Sequence, residues 1–130
     1  MQKTFLGQIA VVGLGGALGS AARFAVSGWV QRLVADGTFP YGTLAVNVAG
    51  CLAIGFLGGL MEGRQVLGPT LRLFLLLGVL GGFTTFSTFA FETLGLAHGS
   101  EYLRAAANAS AHLALGLGAA WLGYVSAQNL

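Results

Sequence analysis

Two stretches of this chain place amide, hydroxyl and aromatic side chains inside long apolar runs, and their spacing limits the chemistry they can do. In Gly42-Thr43-Leu44-Ala45-Val46-Asn47-Val48-Ala49-Gly50-Cys51, the residues Thr43, Asn47 and Cys51 recur every four positions and so share one helix face. Asn47 offers two amide N–H donors, which serve either an anion or an interhelical hydrogen bond. The denser stretch is Gly81-Gly82-Phe83-Thr84-Thr85-Phe86-Ser87-Thr88-Phe89-Ala90-Phe91-Glu92. Its adjacent glycines and four hydroxyl residues weaken a continuous helix, so a break is predicted over residues 81–85. Carbonyls freed at Gly81 and Thr84 could hold a cation, while the N–H groups that open the next half-helix favour an anion. Phe86 and Phe89 are three apart and share a face, and the positive edges of their rings suit a small anion that has shed part of its water. The same pair also reads as core packing, two of nine phenylalanines. The interleaved donors Thr85, Ser87 and Thr88 weigh toward the first reading.

The elements that must carry these groups are membrane helices. The chain of 130 residues is 55% hydrophobic and 8% charged, with a mean hydropathy of +0.79, whereas an average soluble domain has about 25% charged residues. Apolar runs of about 20 residues cross a hydrocarbon core about 30 Å thick. Four such spans are predicted, at about residues 5–33, 41–61, 71–97 and 103–127, in one domain covering 1–130. The links between them are short, from Asp36 to Pro40, Glu62 to Pro69 and His98 to Glu101. The 22 glycines fit this solvent, since small residues let helix backbones approach closely. Gly15/Gly19, Gly55/Gly59 and Gly78/Gly82 each have the spacing that puts a pair on one face.

Several other patterns dissolve in this context. Gly13-Leu14-Gly15-Gly16-Ala17-Leu18-Gly19 has the look of a nucleotide loop but lies inside a span, without the strand and open loop that such a motif needs. Lys3 followed by an apolar stretch ending in Ser20-Ala21-Ala22 has the outline of a signal peptide, yet the stretch is long, glycine-rich and followed by more membrane-like sequence. The six basic residues are scattered singly, which argues against a nucleic-acid partner. Cys51 reads as a small buried hydrophobe. With four spans, Lys3, Arg64 and Arg72 fall on one side and Arg32 and Arg104 on the other, with Arg23 inside the membrane. A bias this weak permits insertion both ways up.

The two polar stretches, together with Gly15-Gly16-Ala17-Leu18-Gly19-Ser20-Ala21-Ala22-Arg23-Phe24, resemble the signatures of the Fluc (CrcB) family of fluoride channels over essentially the whole chain. The resemblance implies an all-α membrane protein of four transmembrane helices per subunit, the third broken mid-membrane, assembled as an antiparallel dual-topology homodimer with two pores. It implies passive export of fluoride, with no enzymatic activity. By motif position Asn47, Phe86 and Phe89 would face the pore, Ser87 and Thr88 would extend a polar track beside Thr85, and Arg23 would sit near a vestibule. Gly81 and Thr84 would give backbone carbonyls to a structural sodium ion at the dimer axis. The fourth span matches less well, offering Asn108, Ser110 and His112 where relatives carry Tyr or Ser. His112 is placed with the pore residues, against the alternative of a packing residue held by a hydrogen bond. Glu92 sits where the family motif also has an acid. The lipid bilayer and a second copy are the expected partners, in the plasma membrane of a prokaryote, the inner membrane if Gram-negative.

Two other functions compete. A small dual-topology proton-coupled antiporter needs a membrane carboxylate that exchanges proton for cation, and only Glu92 could serve. A non-transporting assembly subunit would use the polar residues solely to join helices. No nucleophile–base or metal-ligand cluster at usable spacing points to an enzyme.

Overall fold

A chain in hydrocarbon must satisfy its backbone polar groups internally, which leaves helices as the economical solution for these apolar runs. The structure, a computed structural model, describes residues 2–35, 37–62 and 66–130, with the side chains of Gln2 and Lys3 excepted. Asp36 and Arg64, and with them parts of the first and second predicted links, lie outside the described residues, as does the side chain of Lys3. Every regular element among the described residues is a helix. Helix α1 runs Gln2–Leu33 and α2 runs Tyr41–Met61. A third rod follows in pieces: α3 at Pro69–Arg72, a π-helical segment at Leu73–Leu80, α4 at Gly81–Phe83 and, after two extended residues, α5 at Phe86–His98. Helix α6 closes the chain at Tyr102–Gln128. Pro69 occupies the first helical position of α3, where its missing N–H is not needed.

Thr4–Leu33, Tyr41–Met61 and Pro69–His98 are long and apolar enough to cross a membrane. Helix α6, at 27 residues, is long enough but less apolar, because Asn108, Ser110 and His112 interrupt its run. Side chains on the outside are large and greasy, Phe24 at 82% and Leu103 at 84% exposure being the extremes among the bulky ones. Inside, Val46 and Asn108 are the only large side chains among the described residues with essentially no exposure. The interior is therefore built mostly from backbone against backbone.

Glycine makes that possible. Helix α1 lies against the π-helical segment and α4 so closely that a Cβ on Gly15 would stand 2.6 Å from the carbonyl oxygen of Phe74 and 2.9 Å from the Cα of Gly78. A Cβ on Gly19 would run into the carbonyl of Val79, and one on Gly82 would meet Gly16. The most extensive packing, α2 on α6, uses Gly55 against Ala120, Gly59 against Tyr124 and Gly123 against Leu52. All three small-residue pairs picked out by spacing thus lie at helix crossings, where dispersion contacts replace the hydrophobic drive that lipid does not supply.

Local bonds set the ends of the rods. Gln31 brackets the α1–α2 link, donating to the Phe39 carbonyl and accepting from the Gly42 amide, each at 3.0 Å. Between α5 and α6 the chain reverses within His98 to Glu101, with Ser100 in the left-handed region at φ 62° and the Glu101 amide reaching back to the Leu96 carbonyl at 2.8 Å. That tight turn makes α5 and α6 direct neighbours. At the opposite end Tyr124 donates to Glu62 and Gln128 reaches the Gly59 carbonyl, tying α6 to α2.

Gly19→Val should destabilise the protein by about 1–3 kcal/mol, since the added methyls meet the immovable backbone of Val79 and Phe83. Gly28→Ala, which adds a methyl with nothing within 4 Å, should not. Thermal unfolding of detergent-purified variants checks this, and a Gly19→Val midpoint equal to that of Gly28→Ala would refute the close crossing.

Candidate functional site around the interrupted third rod

The interruption follows from local chemistry. Glycines at 81 and 82 lower helix propensity, and the threonines after them can bond their own backbone instead. The amide and hydroxyl of Thr84 both turn to the Leu80 carbonyl, at 3.0 and 2.9 Å, and close the last turn. Thr84 and Thr85 are then extended, with ψ of 158° and 116°. Thr85 restarts the helix as its N-cap, its Oγ1 accepting from the Thr88 amide at 3.2 Å, the usual way to satisfy one of the first orphan donors. The same hydroxyl donates to the Thr88 hydroxyl at 3.0 Å and lies 3.3 Å from that of Ser87.

Two extended residues in a helix leave peptide groups without ladder partners. Asn47 takes them. Its Nδ2 donates to the Thr85 carbonyl at 2.9 Å and its Oδ1 accepts from the Thr85 amide at 2.8 Å, so a side-chain amide pairs with the backbone as a neighbouring strand would. Gly50, one turn along α2, allows the approach, since a Cβ there would run into the Thr84 methyl. The Thr85 amide is the group that would ordinarily serve the carbonyl of Gly81, four residues earlier, and that carbonyl loses its helical donor. The Thr84 carbonyl accepts instead from Arg23 Nη1 of α1, at 3.3 Å.

Around the interruption lie two clefts. The larger, about 390 Å³, is lined by Asn47, Gly81, Thr84, Thr85, Phe86, Phe89 and His112 among other, mostly apolar residues. The smaller, about 240 Å³, has Arg23, Thr43 and Thr88 in its wall, and Thr85 lines both. Among the described residues no Asp, Glu, Lys or Arg lines the larger cleft. The rings of Phe86 and Phe89 are 5.5 Å apart and tilted by 57°, and Phe89 packs on His112 at 4.2 Å and 38°.

Of the residues singled out from spacing, Asn47, Phe86, Phe89, Thr85 and His112 are brought to one cleft together with Gly81 and Thr84. Thr88 and Arg23 belong to the smaller one. Ser87 is exposed on α5 and lines neither cleft, and Phe86 is 79% exposed in the single chain. The Phe pair also has a support that spacing did not suggest. Fully buried Asn108 donates to the Thr93 hydroxyl at 2.8 Å, which donates in turn to the Phe89 carbonyl at 2.7 Å. Thr43 donates to Glu92 at 2.8 Å, and the carboxylate's other oxygen is buried without a partner among the described residues. The four-residue step from Phe89 to Thr93 was the only available signal for the first of these contacts.

A chain with three helices long and apolar enough to cross a membrane among its described residues, and with polar groups converging on an interruption in the third, is a multi-pass membrane protein with a polar site in its interior. The chain belongs to the family described as CrcB-like protein, Camphor Resistance (CrcB), whose model matches residues 10–124. A protein of Nitratidesulfovibrio vulgaris (strain DSM 19637 / Miyazaki F) named fluoride-specific ion channel FluC is 53% identical over 116 residues, 89% of this chain and 93% of that one. One of the same name from Opitutus terrae (strain DSM 11246 / JCM 15787 / PB90-1) is 50% identical over 121 residues, 92% of this chain and 91% of its own. Another, from Geobacter metallireducens (strain ATCC 53774 / DSM 7210 / GS-15), is 43% identical over 122 residues, 94% and 98% of the two chains. These bacterial relatives make it a prokaryotic membrane protein.

Asn47→Leu, close in size but unable to hydrogen-bond, should cost about 1–3 kcal/mol by orphaning the Thr85 peptide groups. Hydrogen exchange read by mass spectrometry should speed up over residues 84–88 and stay unchanged in α1. Unaltered exchange at 84–88 would show that Asn47 does not hold the interruption.

Proposed function

We propose that this chain forms a fluoride-selective channel that lowers cytoplasmic fluoride by passive export. The observation that carries the reading is the larger cleft, which gathers an amide, a capped helix start, two tilted phenylalanine rings and an imidazole with no fixed charge in its wall. Fluoride is strongly hydrated, so a path for it must replace water with donors that release the ion again. With the Thr88 amide taken by the cap, the amides of Phe86 and Ser87 are the orphan donors at the start of α5, and the helix dipole adds to their pull on an anion. Ring edges of Phe86 and Phe89 complete a weak, partly dry site. The relatives' name, fluoride-specific ion channel FluC, supports the choice of ion.

The working unit in this reading is an antiparallel dual-topology homodimer with α6 as the fourth span and the interruption at mid-membrane. Phe86, Ser87, Thr88 and Phe91 form an exposed face on α5, and a second copy laid against it would convert an open groove into a closed pore. By sequence position, Lys3, Arg64 and Arg72 at one end against Arg32 and Arg104 at the other give no strong orientation. Carbonyls of Gly81 and Thr84 are hard oxygen donors of the kind sodium accepts, the first without its helical partner and the second already shared with Arg23. Two copies would supply four such oxygens, and a bound sodium ion would neutralise their converging dipoles at the dimer axis. The inner membrane is the expected location in a Gram-negative host.

Purified protein in liposomes should release fluoride to an electrode, exclude chloride, and need neither ATP nor a proton gradient. Uphill fluoride movement driven by protons would overturn the channel reading in favour of an exchanger built on Glu92. Phe86→Ile and Phe89→Ile should each lower the flux on the order of tenfold, the equivalent of about 1.4 kcal/mol of lost ring-edge contact, while gel filtration still returns the dimer. Full flux in both variants would remove the rings from the path.

A further inference from the structure

His112 is held in a way that its role as a pore residue does not by itself explain. Its Nδ1 lies 3.0 Å from the Asn108 carbonyl, and a carbonyl can only accept, so Nδ1 carries the hydrogen. The ring is further fixed by Phe89 against its face. The tautomer is thereby assigned, and Nε2 in the neutral ring bears a lone pair. That nitrogen is buried with no partner among the described residues, in a side chain that lines the larger cleft. A lone pair repels an anion, whereas an N–H⁺ at the same place attracts one strongly where little water screens it.

We propose that His112 is an anion ligand whose sign is set by its proton: the neutral ring presents an acceptor that opposes fluoride, and the protonated ring presents a charged donor that binds it. The proton stays on the ring and is not carried across. Linkage is reciprocal, so bound fluoride favours the protonated ring. Few groups compete for this role. From α2 the only titratable group in the cleft is the Cys51 thiol, and the first half of the third rod contributes Leu76, Leu80, Gly81 and Thr84. Glu92 of α5 is engaged by Thr43 and opens into a different hollow beside Gln31 and Glu101. Arg23 of α1 is turned to the Thr84 carbonyl, and Arg104 of α6 to Thr38 and Glu101.

This inference rests on the channel reading, and the test separates the two. Fluoride currents are measured across a planar bilayer over a fluoride series at about pH 4.5 and about pH 8, a span wide enough for a histidine held away from water to change charge. Current counts the ion alone, since undissociated hydrogen fluoride crosses lipid without carrying charge. The half-saturating fluoride concentration of the unaltered protein should be about fivefold or more lower at the lower pH, and that of His112→Gln and His112→Tyr should not move with pH. A pH-independent value in the unaltered protein, or a shift that persists in both variants, overturns the proposal while the current itself upholds the channel. No current at either pH overturns both. A readout on the unaltered protein guards against variants that fail to fold: in histidine-labelled protein the His112 Nε2 resonance should titrate at higher pH when fluoride is added, with exposed His98 as the unmoved reference. Fluoride that shifts neither histidine refutes the inference.

Discussion

A break in a membrane helix survives only if something replaces the hydrogen bonds that the helix would have made, and here one side chain does most of that. Asn47 pairs with both the amide and the carbonyl of Thr85. The consequences run in two directions. Toward α5, the fixed peptide lets the Thr85 hydroxyl cap the new helix, whose first amides have no ladder acceptor before them. Toward α4, diversion of the Thr85 amide leaves the Gly81 carbonyl without its ladder donor. A positive end and a negative end of backbone are thus set a few residues apart in a region of low dielectric, where each has more effect than it would in water.

Such a bracket needs α2 to reach the third rod closely, and it is the small residues that set the distances. Gly50 admits the Thr84 methyl, and Gly15, Gly19 and Gly82 lock α1 onto the other side of the same rod. The interruption is therefore clamped between two helices, with Asn47 supplying polarity from one and Arg23 from the other. Helix α6 adds a third support through Asn108, Thr93 and the Phe89 carbonyl. Rigidity comes from main-chain contact, which leaves the few long polar side chains free to do chemistry or to brace it.

Much of this could be read before any coordinates. Apolar runs separated by Pro, Gly and charge mark out the helices, and adjacent glycines followed by hydroxyls mark where the third one weakens. The π-helical register of Leu73–Leu80 could not be read, because eight nearly uniform apolar residues carry no periodicity by which one helical winding differs from another. Asn47 was legible as important, but the choice between an anion donor and a hydrogen-bonding brace was not, since its partner is a main-chain peptide 38 positions away. Thr93 escaped, and Asn108 was visible without its partner, for the same reason: a polar residue in an apolar run declares that it needs a partner without saying which. The open side of α5 is the matching case at the level of assembly, as one chain's pattern describes a surface and leaves its cover unstated.

Thr85 carries a consequence of its own. It is the shared wall of both clefts, the cap of α5 and the peptide that Asn47 grips, so its side chain and backbone serve several duties at once. A residue so burdened cannot be tuned for one task without disturbing the rest, and serine is the sole replacement that keeps the hydroxyl at the same reach. Evolutionary adjustment of this protein is accordingly channelled away from its centre. Variation has to come from positions answerable to fewer neighbours, such as Ser87, which is exposed on α5 and lines neither cleft.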